Sequence, residues 1–425
     1  MQQSSNKGCL PVFLRILNII TAAGLGLTAL LLVTTVLQGT TAPAESSYYF
    51  VLAGLLVFIV ILHLFSFVLV LSSRPKASIE EKKPFPAFLV ASLGLILWAV
   101  VVFLGEVFVR NGVNFILMPV ILILAVALPI WWFIELGRRN LTNGTPLQTW
   151  GAISIGTTLT PLTSMVLEVL LIFLLVIVAI IFLSTQPGFL NQFSQLSQQF
   201  NSMPDMQQTQ QMLEGAIKSP VILILVLLFV SGLVPIIEEL AKPLGLFIFA
   251  GKRITPGQGF VLGMICGAAF GFIESMLLLS TSMQEGLYQL ILVRVATGLL
   301  HTTTAGLTGW GFAFAVSQKK TKQMILSFLA AIGLHGLWNA FGVMVGISPF
   351  FSKDFTFSFP VAATLTQIAP FVLGFLTLGM IAILIVMNIH LQKTRAQEDQ
   401  TLLPPQPPPL PNSPPPIPGS GFIQQ

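Results

Sequence analysis

The chain alternates between long apolar runs and short polar stretches. An apolar run of about 20 residues is enough to cross a hydrocarbon core of about 30 Å, at about 1.5 Å per helical residue. Ten such runs lie near residues 12–37, 50–72, 87–109, 113–136, 159–184, 220–249, 257–280, 288–316, 323–347 and 361–390. Within a bilayer each segment must satisfy its own backbone hydrogen bonds, so the runs are expected as helices. The pattern predicts an all-α, polytopic transmembrane helix bundle of about ten spans. Ala42-Pro43-Ala44 resembles a signal-peptidase site. The run before it is longer than the cleavable core of about 7–15 residues, so it is expected to remain as the first span.

The polar stretches divide the chain. Residues 1–184 carry five spans. Residues 185–219 are rich in Gln and Ser, with Phe189, Phe193, Leu196 and Phe200 at helical spacing. That spacing predicts an amphipathic helix on the non-cytoplasmic membrane surface. Residues 220–347 hold the next four spans, and 348–390 a last loop and span. Residues 391–425 form a polar, then Pro-rich tail, expected to be disordered with polyproline II character and open to a polyproline-recognising partner.

Composition agrees with the pattern. Charged residues make up 8% of the chain and mean hydropathy is +0.89, against about 25% charged residues in soluble domains. The formal charge of +5 is no nucleic-acid signal, because the basic residues sit in short loops between apolar runs. Fifteen of them, including Lys7, Arg74, Arg138, Lys252, Lys319 and Lys393, fall at the N-terminus, after even-numbered spans or in the tail. Three, Arg110, Lys218 and Lys353, fall in the opposite loops. That bias predicts a multi-pass cell-membrane protein with both termini cytoplasmic. Cys9 and Cys266 imply no disulfide framework.

The chemistry concentrates in four consecutive spans. Glu238 and Glu239 lie within the sixth, and Lys242 is placed four and three residues on, where one ammonium reaches either carboxylate. Pro235 and Pro243 flank the pair and predict an opened or kinked helix. In the seventh span Gly263, Gly267 and Gly271 form a small-residue stripe, and Glu274 follows on the same face. Thr297, His301, Ala305 and Gly309 repeat the device in the eighth span; Ala331, His335, Asn339 and Gly342 do so in the ninth. Interhelical hydrogen bonding explains one such residue, and is the reading for His63 and Glu168. Four spans converging on carboxylates and imidazoles predict an active site. No Ser or Cys has an obvious neighbouring base, and neither a phosphate-binding Gly-rich loop nor His-Glu-x-x-His is present. What remains is water activated by a carboxylate or by a metal held on His and Glu.

The set Glu-Glu-x-x-Lys at 238–242, Phe-x-x-x-Glu at 270–274, His301 and His-x-x-x-Asn at 335–339 resembles the PrsW-type intramembrane endopeptidases. These share a clan with the CAAX prenyl endopeptidases and bacteriocin-processing proteases. The second motif ends in Glu274 rather than His, as in the PrsW branch. The resemblance covers roughly 220–345 and implies a PrsW-like catalytic core there. It implies a membrane or membrane-proximal polypeptide as substrate, with Glu238 as general base, Glu239 beside it and Lys242 balancing charge. Glu274 would share a proton or position the water. His335 and Asn339 would donate to the oxyanion, and His301 would be a second donor, proton shuttle or metal ligand. Where a metal such as zinc activates the water, the implied ligands are Glu239, Glu274, His301 and His335. A proton-coupled transporter and a catalytically silent scaffold are the competing classes, since buried Glu and His serve those too.

Reporter fusions should place residue 425 in the cytoplasm; an external C-terminus would contradict the ten-span arrangement.

Overall fold

The structure is a computed structural model that describes residues 9–39, 43–72, 86–111, 117–185, 220–247, 254–281, 287–348 and 360–402. The 185–219 amphipathic helix expected from the sequence lies outside these, as do residues 403–425. No strand occurs among the described residues. The helices are α1 (Cys9–Leu37), α2 (Pro43–Ser72), α3 (Ala87–Arg110), α4 (Met118–Arg138), α5 (Pro146–Thr157), α6 (Leu159–Ser184), α7 (Pro220–Leu228), α8 (Val234–Ala241), α9 (Leu244–Phe247), α10 (Pro256–Thr281), α11 (Leu287–Gln318), α12 (Thr321–Ile347) and α13 (Pro360–Leu402). A π-helical turn, Phe229–Leu233, joins α7 to α8. Among the described residues, ten helices or continuous helix runs are long and apolar enough to cross a membrane, so the chain is a multi-pass membrane protein.

The bundle places its least apolar spans at the centre. Lipid tails are as apolar as leucine, so Leu-rich faces lose nothing by pointing outward, while small and polar residues gain by packing on protein. The Leu- and Ile-covered α6 accordingly turns most of its side chains outward, whereas α10 and α11 are the most buried spans. These two meet along the glycine stripe. A methyl group added at Gly263 or Gly267 would run into the carbonyl oxygens of Ala305 or His301. Only glycine allows this approach, and it draws His301 and Glu274 into one layer.

Around this pair, α4 packs on α10 and α11, α12 on α11, and α13 on α12 and α4. One apolar cluster, including Leu55, Leu122, Ile273 and Ile291, ties α2 and α4 to the centre. A second, including Phe260, Leu300, Trp338 and Leu384, joins α10 to α13. The N-terminal pair α1 and α2 is fastened by polar groups as well. His63 Nδ1 donates to Asn18 Oδ1 at 2.6 Å, and Asn18 Nδ2 donates to Ser66 Oγ at 3.2 Å. Ser154 Oγ on α5 donates to Asn18 Oδ1 at 2.9 Å, and Thr157 Oγ1 lies 3.1 Å from His63 Nε2. All five side chains are buried. His63 is therefore a packing residue, as its isolation in the sequence predicts.

Two boundaries differ from the expectation. The fifth span begins with α5 at Pro146, capped by Thr145, whose hydroxyl accepts from the Gln148 N–H while Gln148 Oε1 accepts from the Thr145 N–H. The last helix continues to Leu402 instead of giving way to a disordered tail at 391. Residues 391–402 contain good helix formers and no proline, and the run stops where Pro404 and Pro405 begin.

Gly267→Val should force α10 away from α11 and lower the unfolding temperature in detergent, on the scale of about 1–3 kcal/mol or more for overpacking. Gly333→Val is the control, because an added methyl there meets nothing within 4 Å. Equal behaviour of the two variants would contradict the close-packed stripe.

Candidate active site

The sixth span supplies the first part of the site. Pro235 is accommodated by a π-helical turn just upstream, within a helical run that continues to Ala241, rather than by an opened helix. In a π-helix the carbonyl of residue i pairs with the N–H of i+5. For Val230 that partner is Pro235, which has no N–H. Asn339 Nδ2 on α12 donates to the Val230 oxygen instead, at 2.9 Å. Gly336, one turn earlier on α12, lets that helix rest against the Ser231 carbonyl, where a methyl group would clash. These two contacts lock the π-helical turn to α12, one to two turns before the buried Glu238 and Glu239.

Glu239 is fully buried and meets two partners. Lys242 Nζ pairs with its Oε1, and His335 Nδ1 donates to the same oxygen at 3.0 Å. A carboxylate oxygen of this kind only accepts, so the proton sits on Nδ1 and the lone pair of His335 on Nε2. Glu274 plays the corresponding part for His301, whose Nε2 donates to Glu274 Oε2 at 2.7 Å. The lone pair of His301 is thereby on Nδ1. Arg294 Nη2 forms an ion pair with the same Glu274 oxygen at 3.0 Å, and Arg294 Nε donates to Ser275 Oγ at 3.2 Å.

Both free imidazole nitrogens face Glu238. His301 Nδ1 and His335 Nε2 each lie 3.7 Å from Glu238 Oε2. Glu238 Oε2 and His301 Nδ1 are buried without a hydrogen-bond partner. The two rings stand edge to face, with centroids 5.1 Å apart, and Phe270 closes the other side of His301 at 5.0 Å. Lys242 is buried too, 3.6 Å from Glu238 Oε2 and 5.3 Å from the Phe270 ring centroid.

This geometry fits a metal. One ligand atom from each of Glu238, His301 and His335 falls within 4.8 Å of the others. Around a tetrahedral zinc with bonds of about 2.0–2.2 Å, ligand atoms sit about 3.3–3.6 Å apart. Three carboxylates face two cations, so the formal charge of the cluster also favours a cation. Glu239 and Glu274, expected among the ligands, each commit one oxygen, Glu239 Oε1 and Glu274 Oε2, to the far nitrogen of an imidazole and to Lys242 or Arg294, while Glu239 Oε2 is buried without a hydrogen-bond partner. The atoms that meet within 4.8 Å include one from Glu238 and none from Glu239 or Glu274. Asn339, expected as an oxyanion donor, spends its amide on the Val230 carbonyl. His335, expected in the same role, directs its N–H at Glu239.

Arg294 was left unassigned by the sequence. Its signal is its place seven residues before His301, two turns along the same helical face of α11. Glu168 on α6 reaches the site region as well. It lines, together with Glu238, Glu274, His301 and His335, one cavity of about 910 Å³.

Residues 160–373, half of the chain, match the family described as PrsW family intramembrane metalloprotease. No curated protein and no solved structure matches the chain. Every side chain of the cluster lies within the matched residues, and two histidines with a glutamate are one of the ligand sets that catalytic zinc sites use. The chain belongs to the PrsW family of intramembrane metalloproteases.

Proposed function

We propose that this membrane peptidase cleaves a membrane or membrane-proximal polypeptide by attack of water, with Glu238, His301 and His335 as the residues that hold its metal. The observation that carries this is the approach of the two free imidazole nitrogens to Glu238 Oε2, with Glu238 Oε2 and His301 Nδ1 buried without a hydrogen-bond partner and Lys242 Nζ 3.6 Å from the same carboxylate oxygen. A divalent metal such as zinc supplies, when bound, a Lewis acid and a water acidified enough to attack at neutral pH.

The chain's own residues do the rest. Glu239 and Glu274 fix the tautomer and direction of the two rings, as carboxylates behind metal-binding histidines do. Lys242 and Arg294 balance those carboxylates. Glu274 is the carboxylate most open to the cavity, with 41% of its side chain exposed against 9% for Glu238 and none for Glu239. It accepts the proton of the attacking water and passes it to the departing amine, which links it to the general-base role first read for Glu238. Asn339 and Gly336 keep α12, and so His335, against the π-helical turn of the sixth span. The charge bias of the loops supports cytoplasmic termini.

Mass spectrometry of membrane proteins from cells carrying the wild type or Glu238→Gln should show cleavage products only with the wild type. Purified Glu238→Gln should lose bound metal and activity together. Glu274→Gln should keep its metal while kcat falls by about 10²–10⁴-fold. Full activity in Glu238→Gln, or equal loss of metal in both variants, would contradict these assignments. Ion-dependent solute uptake without a cleavage product would favour a transporter.

A further inference from the structure

We infer that the α1–α2 pair, which lies outside the family-matched residues, is a selectivity wall of the active-site cavity and contacts the apolar side chains next to the scissile bond. The inference rests on the peptidase reading above, and extends it to a part of the chain that the family match does not cover.

The lining of the cavity is of two kinds. The charged cluster of α8, α10, α11 and α12 supplies one; Ile20 and Leu25 of α1 and Leu52, Leu55, Leu56 and Ile59 of α2 supply the other. Both line one space, so a polypeptide whose backbone reaches the cluster has α1 and α2 within the same cavity to receive its side chains. Ligand pockets of about 300–1,000 Å³ hold a short group of atoms. At about 910 Å³ this cavity takes a few residues of polypeptide, well short of a span of about 20. The occupant is therefore a locally unwound piece of an apolar transmembrane segment, whose flanking turns remain in lipid. Unwinding is needed in any case, because a helix covers its peptide bonds. The freed backbone groups need polar partners at membrane depth, which lipid lacks and the charged cluster lining the cavity provides.

The wall is held firmly. The buried network of Asn18, His63, Ser66, Ser154 and Thr157 fastens α1 and α2 to α5, and Thr157 itself lines the cavity. Gly54 on α2 packs against Pro119 of α4, where a methyl group would clash. Two glycines, Gly24 on α1 and Gly342 on α12, line the cavity, and an added methyl at either meets nothing within 4 Å. A methyl group placed at Gly24 thus enters the cavity without colliding with the protein, and a longer side chain extends from that open point.

The test uses the full chain in liposomes with Leu/Ala-rich transmembrane peptides of about 20 residues, in which single positions are changed from Ala to Phe. Gly24→Leu should lower cleavage of the Phe peptides relative to the Ala peptides by about 10-fold, the scale of a filled or emptied apolar subsite. Leu56→Ala should move the same ratio the other way. Gly374→Leu on α13, where an added methyl also meets nothing within 4 Å, is the control and should leave the ratio unchanged. A second measurement needs no variant: a photoreactive residue in the same peptides should label α1 or α2 of the unaltered protein. Labelling confined to α6–α12, or a ratio in Gly24→Leu and Leu56→Ala equal to that of Gly374→Leu, would overturn the inference. Labelling of α1 or α2 without cleavage by the wild type would leave the wall standing and remove the peptidase reading for such peptides.

Discussion

Charged side chains persist at membrane depth only where other charges and hydrogen-bond donors face them. That constraint shapes the centre of this bundle. Glu239 is possible because Lys242 and His335 meet it, and Glu274 because Arg294 and His301 do. Each pairing commits one nitrogen of an imidazole and leaves the other directed at Glu238. The same contacts that make the buried carboxylates tolerable also produce the convergent lone pairs. The glycine stripe of α10, the π-helical turn of the sixth span and the Asn339 bridge serve to bring these groups into one layer.

The sequence makes much of this legible. Apolar runs mark the spans because the bilayer imposes length, and a helix is the solution each segment reaches alone. Small-residue stripes at four-residue spacing predict which face of a span meets protein, and on that basis Glu274, His301 and His335 share one cavity. Spacing along one helix cannot reveal partners on another. The division of labour between Glu238 and its neighbour Glu239 depends on about one-third of a turn and on what stands opposite. Arg294 escaped notice because its partner, Glu274, is on the preceding span. The oxyanion roles read for His335 and Asn339 met competing acceptors: a carboxylate in one case, and in the other a carbonyl stranded by Pro235, visible only once the π-helical turn is known. Residues 391–402 show the converse error, since polar composition after an apolar span is compatible with further helix until proline ends it.

The two halves of the chain contribute differently. Residues 160–373 carry the family match and the whole cluster, while α1 and α2 add apolar lining to its cavity. On the inference drawn above, chemistry and selection are separated: the cluster depends on a few fixed distances, whereas an apolar wall can change residue by residue without disturbing them.

The central claim is that Glu238, His301 and His335 share one metal. X-ray absorption spectroscopy on the purified, metal-loaded protein tests it most directly. The account predicts a first shell of two imidazole nitrogens with carboxylate and water oxygens, at about 2.0–2.2 Å for zinc. A shell without imidazole, or a fully active enzyme that holds no stoichiometric metal after chelation, would contradict it.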